Sequence, residues 1–200
     1  MSGDPRRGRR RAVAGLAALS LSGALPRGSL AAATHGRIEP PQPVPEIAML
    51  RDDGVATTLA RLLEGRVTAM HFMFTACSSV CPLLGATFGR VHEDLPAGAA
   101  SRLALLSVSV DALGETPASL QAWRRRMGAG PAWRAAVPRA AEADRLTRWA
   151  AGTVPFAFDV HSSQVYVFDP AARLVLRTAD LPRPEQISRL LRELAANPLP

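Results

Sequence analysis

Lysine is absent from the 200-residue sequence, so all 24 basic residues are arginine, and we attribute this to a coding bias. The formal net charge of +7 is unevenly distributed. Residues 1–33 contain six arginines and one of the 17 acidic residues, so the other 18 arginines and 16 acids leave only +2. The high isoelectric point therefore describes mainly the N-terminal segment, and the composition predicts no nucleic-acid-binding surface.

Long apolar runs are also missing from the N-terminal segment. Residues 12–25 form a run of fourteen small or apolar residues, which is shorter than the ~20 residues that span a bilayer. Arginines precede this run at residues 6–11, and small residues follow it at residues 30–34. This order predicts a secretory signal at residues 1–33 and a mature protein in the periplasm or on the outer face of the cytoplasmic membrane. An uncleaved anchor and twin-arginine export both stay open.

The remaining sequence contains no internal repeat, glycine-rich phosphate loop or paired acidic dyad, so it shows no signature of nucleotide binding or of acid–base catalysis. Residues 34–46 contain four prolines and predict an extended linker or irregular segment. Residues 47–197 then predict one α/β domain, which we expect to be monomeric. Its first element is a β-hairpin over residues 47–58 with an Asp-Gly turn.

Apolar periodicity predicts the other elements of this domain. Continuous apolar runs at 67–74 and 103–110 indicate strands covered on both faces. Thr116 before Pro117 is typical of a helix N-terminus. The order of strands and helices predicts a mixed sheet with helices on both sides. The remaining predicted elements are a helix that begins between the two cysteines and continues to 95, helices at 59–64, 117–127, 139–151 and 184–196, and a second hairpin formed by 164–168 and 174–178.

The only two cysteines, Cys77 and Cys81, stand four residues apart where a strand gives way to a helix. We expect Cys77 just before the helix and Cys81 about one turn into it. Such thiols could form a disulfide or bind one metal ion together, and the helix N-terminus would favour their thiolates. The alternative is a pair of structural cysteines. Of the other candidate ligands, His71, Met70 and Met73 are expected in the core, whereas His35 and His92 are expected to face solvent. The run Arg124-Arg125-Arg126 is expected to be a solvated helix face and not a binding patch.

The motif Thr75-x-Cys77-x-x-x-Cys81-Pro82, placed after a strand, resembles that of the Sco/SenC family of thioredoxin-like copper proteins. The resemblance covers roughly residues 44–196. Between the cysteines the family often has Pro-Asp, where this chain has Ser78-Ser79-Val80. The other stretches that fit the family are 107–111, 115–117 and 159–169, the last of which contains His161 after Asp159-Val160.

The resemblance implies a thioredoxin-like fold and a copper site formed by Cys77, Cys81 and His161. Two thiolates suit Cu(I), and the imidazole helps to retain Cu(II). The implied function is delivery of copper to the dinuclear copper site of cytochrome c oxidase, with the copper-bearing oxidase subunit or another envelope copper or thiol protein as partner. Zinc could use the same ligands. The rival functions are a thiol–disulfide oxidoreductase that uses the Cys77–Cys81 disulfide and a redox or copper sensor.

Overall fold

A mixed β-sheet organises the residues described by the computed structural model, which are 35–96, 98–152 and 162–198. The order of its eight strands across the sheet is β1-β8-β7-β4-β5-β6-β2-β3. β4, β5 and β6 run parallel, and every other neighbouring pair is antiparallel. The predicted mixed sheet is therefore confirmed. The strands are β1 (Gly36–Pro43), β2 (Ala48–Arg51), β3 (Ala56–Thr58), β4 (Val67–Met73), β5 (Leu103–Ser109), β6 (Trp133–Pro138), β7 (Tyr166–Phe168) and β8 (Arg173–Arg177).

Helices cover both faces of this sheet, as predicted. Two hydrophobic cores result: one includes side chains of α2, α3 and α5, and the other includes side chains of α1 and α4. Every residue of the central strands β4 and β5 is buried, which explains their continuous apolar sequences. No helix in the described ranges is long and apolar enough to cross a membrane. The helices are α1 (Leu59–Leu63), α2 (Val80–Asp94), α3 (Pro117–Arg126), α4 (Ala140–Ala151) and α5 (Pro184–Ala196).

The predicted N-terminal hairpin is confirmed as β2 and β3, joined by a turn that contains Gly54 with a φ of 81°. The turn is attached to α3, because Gln121 donates a 2.7 Å hydrogen bond to the Asp52 carbonyl and Arg124 forms an ion pair with the buried Asp52 carboxylate. The expectation that Arg124 faces solvent is therefore wrong, whereas Arg125 and Arg126 are exposed.

The proline-rich segment is extended, but residues 36–43 form the edge strand β1 and not a linker. Its pairing with β8 occurs at its two ends and is irregular between Arg37 and Gln42. Pro40 and Pro41 lie in this irregular part and have no N–H group to donate. An edge position tolerates such residues because only one side of the strand needs a partner. The export signal predicted for residues 1–33 lies outside the described residues.

Strand β6 was not predicted. Its sequence, Trp-Arg-Ala-Ala-Val-Pro, contains two alanines and a proline, which are poor signals for a strand. The strand forms because β5 pairs with one of its edges in parallel and β2 pairs with the other antiparallel. Five of its six residues are buried as a result.

A glycine contact brings α2 close to the end of α3. A Cβ atom built at Gly85 would lie 2.6 Å from the Met127 Sδ atom and 3.0 Å from the Trp123 ring. A larger side chain at Gly85 would therefore require the Met127 or Trp123 side chain to shift. This close contact packs α2, the helix that carries Cys81, against the C-terminal end of α3.

Candidate metal centre

The cysteine pair lies where β4 ends and α2 begins. After β4, a turn is closed by a 3.1 Å hydrogen bond from the Cys77 N–H to the Phe74 carbonyl. Ser79 is the N-cap of α2, so Cys77 precedes the helix and Cys81 is in its first turn, as predicted. Pro82 follows in the same turn, where its missing N–H costs nothing.

Both cysteines are free thiols in this structure, and both pack in the same hydrophobic core. Cys81 is buried and 2 % exposed, whereas Cys77 is half-buried. The Cys77 sulfur also lies 3.7 Å from the Ser79 hydroxyl oxygen. The structure therefore brings the two sulfurs together at the N-terminus of α2, with Cys77 nearer to solvent.

The environments of the two thiols shift their pKa values in opposite directions. Burial acts to raise the pKa of Cys77, but hydrogen bonds from the Cys81 side chain and from the Ser79 and Cys81 backbone stabilise its thiolate, so that its pKa is lowered. Burial, together with the hydrogen bond that Cys81 gives to Cys77, raises the pKa of Cys81 to about 12. Cys77 is thus the thiol that ionises first.

A glutamate that sequence analysis did not single out holds the turn before Cys77. The Glu115 carboxylate accepts hydrogen bonds from the Thr75 N–H at 2.6 Å and from the Thr75 hydroxyl at 3.0 Å. It also accepts from the hydroxyls of Ser109 and Ser119 at 3.1 and 2.6 Å. The sequence shows Glu115 only as the residue before the α3 cap, because its partner Thr75 is forty positions away.

His161, the third predicted ligand, lies outside the described residues. The next two residues are Ser162, which hydrogen-bonds Tyr166 at 2.9 Å, and Ser163, which accepts a 3.0 Å bond from the Leu181 N–H. Because β7 runs antiparallel to β4, these serines enter the sheet at the edge where β4 ends. Within residues 35–96, 98–152 and 162–198, no three His, Cys, Asp or Glu side chains cluster as a metal site.

His71 is a core residue, as expected, and is fully buried on β4. Its Nδ1 atom lies 3.2 Å from the Phe72 carbonyl, so this nitrogen carries the proton and donates it. Its Nε2 atom accepts from the Ser107 hydroxyl at 2.8 Å, and Ser107 in turn accepts from the Trp133 indole at 2.9 Å. Burial lowers the pKa of His71 to about 3. His71 is therefore neutral near pH 7.

The other methionines and histidines that the sequence offered as ligands are core or surface residues. Met70 and Met73 are buried in the core and His35 is exposed, as expected. His92 differs from the expectation of a solvent-facing side chain. It is half-buried, and a Cβ atom at Gly130 would lie only 2.2 Å from its Nε2 atom, so the ring packs against the chain at Gly130.

Comparisons with solved structures identify the fold. Bradyrhizobium japonicum ScoI with copper bound matches 76 % of this chain and 98 % of its own, with 21 % identity and a TM-score of 0.62. Yeast Sco1 with copper bound matches 80 % and 92 %, with 18 % identity and a TM-score of 0.65. BsSco matches 78 % and 95 %, with 17 % identity and a TM-score of 0.65. The predicted thioredoxin-like Sco fold is confirmed.

The family comparison covers the segment that carries both cysteines. No curated protein sequence matches the chain significantly. The SCO1/SenC family model matches residues 44–131, a range that includes Cys77, Cys81 and Glu115 and ends before His161. Residues 44–131 are thus similar to the SCO1/SenC family, and the fold of the chain is that of the solved Sco structures.

Proposed function

We propose that this protein binds one copper ion through Cys77, Cys81 and His161 and delivers it to the dinuclear copper site of cytochrome c oxidase. The observation that carries the proposal is the pair of free cysteines, one in the turn before α2 and the other in its first turn. Two adjacent sulfurs at an accessible strand end suit Cu(I). Copper is the cargo of this protein, so its site must both hold and release the ion.

The acid–base properties of the cysteines fit metal exchange. The thiolates are the metal ligands, so copper must displace the protons of both cysteines. Cys77 ionises readily, whereas the pKa of Cys81 is about 12 in the metal-free protein. Uptake therefore begins at Cys77, and the ion's positive charge then favours loss of the Cys81 proton. Reversal of this order, with a proton returning to Cys81, assists release.

The related structures support copper as the cargo. ScoI and yeast Sco1 are solved with copper bound, and BsSco is a member of the Sco family of cytochrome c oxidase assembly proteins. The segment that follows His161 reaches the same edge of the sheet as Cys77, which supports His161 as the third ligand. The arginine-rich N-terminal sequence supports export to the periplasm or the outer face of the cytoplasmic membrane, the side that the oxidase copper site faces.

A second candidate function is thiol–disulfide exchange, which the opposite pKa shifts of the cysteines favour. The Cys77 thiolate would attack a partner disulfide, form a mixed disulfide and release one partner thiolate. Cys81, after losing its proton, would then attack Cys77 and release the second partner thiolate. The partner gains two electrons, and this chain ends with a Cys77–Cys81 disulfide. A disulfide switch is identified in BsSco, a protein of the same fold.

Metal analysis of the exported, reduced protein tests the proposed copper site. We expect one copper ion per parent chain and no tight Cu(I) binding by Cys77→Ala or Cys81→Ala, because a single thiolate leaves Cu(I) under-coordinated. His35→Ala is the matched control, since His35 is exposed and far from the cysteines in sequence. Equal copper uptake by the parent and the double cysteine variant would rule out this site.

A further inference from the structure

Glu115 connects three parts of the chain at the ends of the parallel strands. Its Oε1 atom accepts from the Thr75 N–H at 2.6 Å and from the Ser109 hydroxyl at 3.1 Å. Its Oε2 atom accepts from the Thr75 hydroxyl at 3.0 Å and from the Ser119 hydroxyl at 2.6 Å. These donors come from the turn after β4, the end of β5 and the first turn of α3. One carboxylate therefore fixes the cysteine turn against two rigid elements.

Thr75 is held on its other side as well. The Arg126 guanidinium donates a 3.4 Å hydrogen bond to the Thr75 carbonyl. The N–H and hydroxyl of Thr75 thus bond to Glu115, the residue before the α3 N-cap, and its carbonyl bonds to α3 itself. By contrast, the N-cap of α2, Ser79, makes no side-chain capping bond. The side-chain hydrogen bonds that join this turn to α3 and the residue before its N-cap are therefore on its Thr75 side.

We propose that Glu115 is a positioning residue for the cysteine pair, whose carboxylate holds the Thr75 turn so that the Cys77 sulfur stays beside the Cys81 sulfur. Ordering two groups before they react raises their effective concentration. Holding the two sulfurs side by side favours both formation of a disulfide and binding of one metal ion by two thiolates. The inference rests on the proposed function only in that the two cysteines act together, and it holds for either candidate function.

A carboxylate is suited to this role because all four of its contacts are donors. Hydrogen bonds to a charged acceptor are stronger than hydrogen bonds between neutral groups. In Glu115→Gln, one oxygen still accepts from the Thr75 N–H, but the amide nitrogen must face hydroxyls that now have to accept. Glu115→Ala removes every contact and leaves the Thr75 N–H without its partner. The two substitutions therefore remove the hydrogen bonds of Glu115 to different extents: Glu115→Gln weakens them and Glu115→Ala abolishes them.

The test is the equilibrium between the dithiol and the disulfide in the metal-free, exported protein, measured in dithiothreitol redox buffers by alkylation and intact mass. We expect Glu115→Ala to lower the equilibrium constant for disulfide formation about tenfold, equivalent to a reduction potential about 30 mV higher. Glu115→Gln and Thr75→Val should shift it less, in the same direction. The shift in the double variant Glu115→Ala/Thr75→Val should exceed that in Glu115→Ala only slightly, because the Thr75 hydroxyl bonds the carboxylate that Glu115→Ala already removes.

Thr58→Ala is the control for a purely structural role. Thr58 caps α1 by accepting from the Arg61 N–H at 3.3 Å, and this cap lies outside the Glu115 network. We expect this variant to lower Tm while the dithiol–disulfide constant stays at the parent value. The inference is overturned if Glu115→Ala lowers Tm without moving the constant, if Thr58→Ala moves it equally, or if the Glu115 and Thr75 effects simply add.

Two features keep this test separate from the copper proposal. If Glu115→Ala does not fold, Glu115→Gln and Thr75→Val decide the outcome, since both keep most of the packing. The measurement needs no metal, so a failure to bind copper would leave it interpretable. Conversely, an unchanged constant in these variants would remove the role of Glu115 and leave the copper proposal intact.

Discussion

Two serines of β5 lie two residues apart and are both fully buried, yet they belong to different polar networks. Ser107 accepts from the Trp133 indole and donates to His71, and every member of this network is neutral. Ser109 donates to the Glu115 carboxylate at the strand end. A buried neutral network fixes the sheet, whereas the charged network at the edge fixes a turn that carries a reactive thiol. Of these two networks, only the one beside the cysteine turn contains a charged group.

The strongest prediction concerns reactivity at the edge. In the reduced, metal-free protein at pH 8, we expect iodoacetamide to alkylate Cys77 at least about a thousandfold faster than Cys81, because thiolate content controls the rate. Burial keeps Cys81 protonated with a pKa of about 12, while the pKa of Cys77 is lowered. Peptide mass mapping over time measures both rates. Cys81 reacting first would reverse the roles assigned to the two thiols.

The two serines themselves provide a matched pair of substitutions. Ser107→Ala leaves the Trp133 N–H and the His71 Nε2 without partners, at about 1–3 kcal/mol for each, so we expect a loss of about 2–5 kcal/mol in the free energy of unfolding. Ser109→Ala leaves Glu115 three other donors and should cost about 1 kcal/mol. Urea unfolding of both variants measures this difference.

The same pair should behave in the opposite way at the thiols. Ser109→Ala should shift the dithiol–disulfide constant, because Ser109 helps to hold Glu115, whereas Ser107→Ala should leave it at the parent value. Similar stability losses with no difference at the thiols would show that the two networks do not have the separate roles assigned to them.

A smaller effect is expected from the pH dependence of the core network. His71 has a pKa of about 3 in the folded protein and the ordinary value of about 6.5 when unfolded. Between these two pH values the unfolded state binds a proton that the folded state does not. The contribution of neutral His71 to the stability of the folded protein is therefore complete above pH 6.5 and falls as the pH drops. Each pH unit below 6 should cost about 1.4 kcal/mol.

His71→Phe is the comparison for this pH effect, because it keeps an aromatic ring beside Phe88. Its unfolding free energy should be lower than that of the parent at pH 7 and should fall less steeply between pH 6 and 4. Equal slopes for the parent and the variant would mean that His71 is not the group that takes up the proton.

Sequence predicted most of the elements because their signals are local. The apolar runs of β4 and β5 and the Thr116-Pro117 helix start need no distant partner to be recognised. Strands β1 and β6 lack local signals, because Pro40 and Pro41 interrupt β1 and two alanines lie in β6. Both strands form only through pairing with neighbouring strands.

The same distinction applies to the site. The spacing of Cys77 and Cys81 predicted their proximity, because a strand–turn–helix junction is local. Glu115 holds the cysteine turn through Thr75, forty positions away, and Arg124 pairs with Asp52, seventy-two positions away. No short stretch of sequence could show either contact. The role of His161 rests on the family resemblance and stays a prediction.

The most direct test of the central claim, that this protein carries copper through Cys77, Cys81 and His161, is complementation of a deletion strain at limiting copper, read as cytochrome c oxidase activity. His161→Ala should fail to restore the activity, while its disulfide exchange with a small dithiol stays near the parent rate, since that chemistry needs only the two cysteines. His35→Ala should restore both. Full oxidase activity with His161→Ala would contradict the copper site and favour the oxidoreductase.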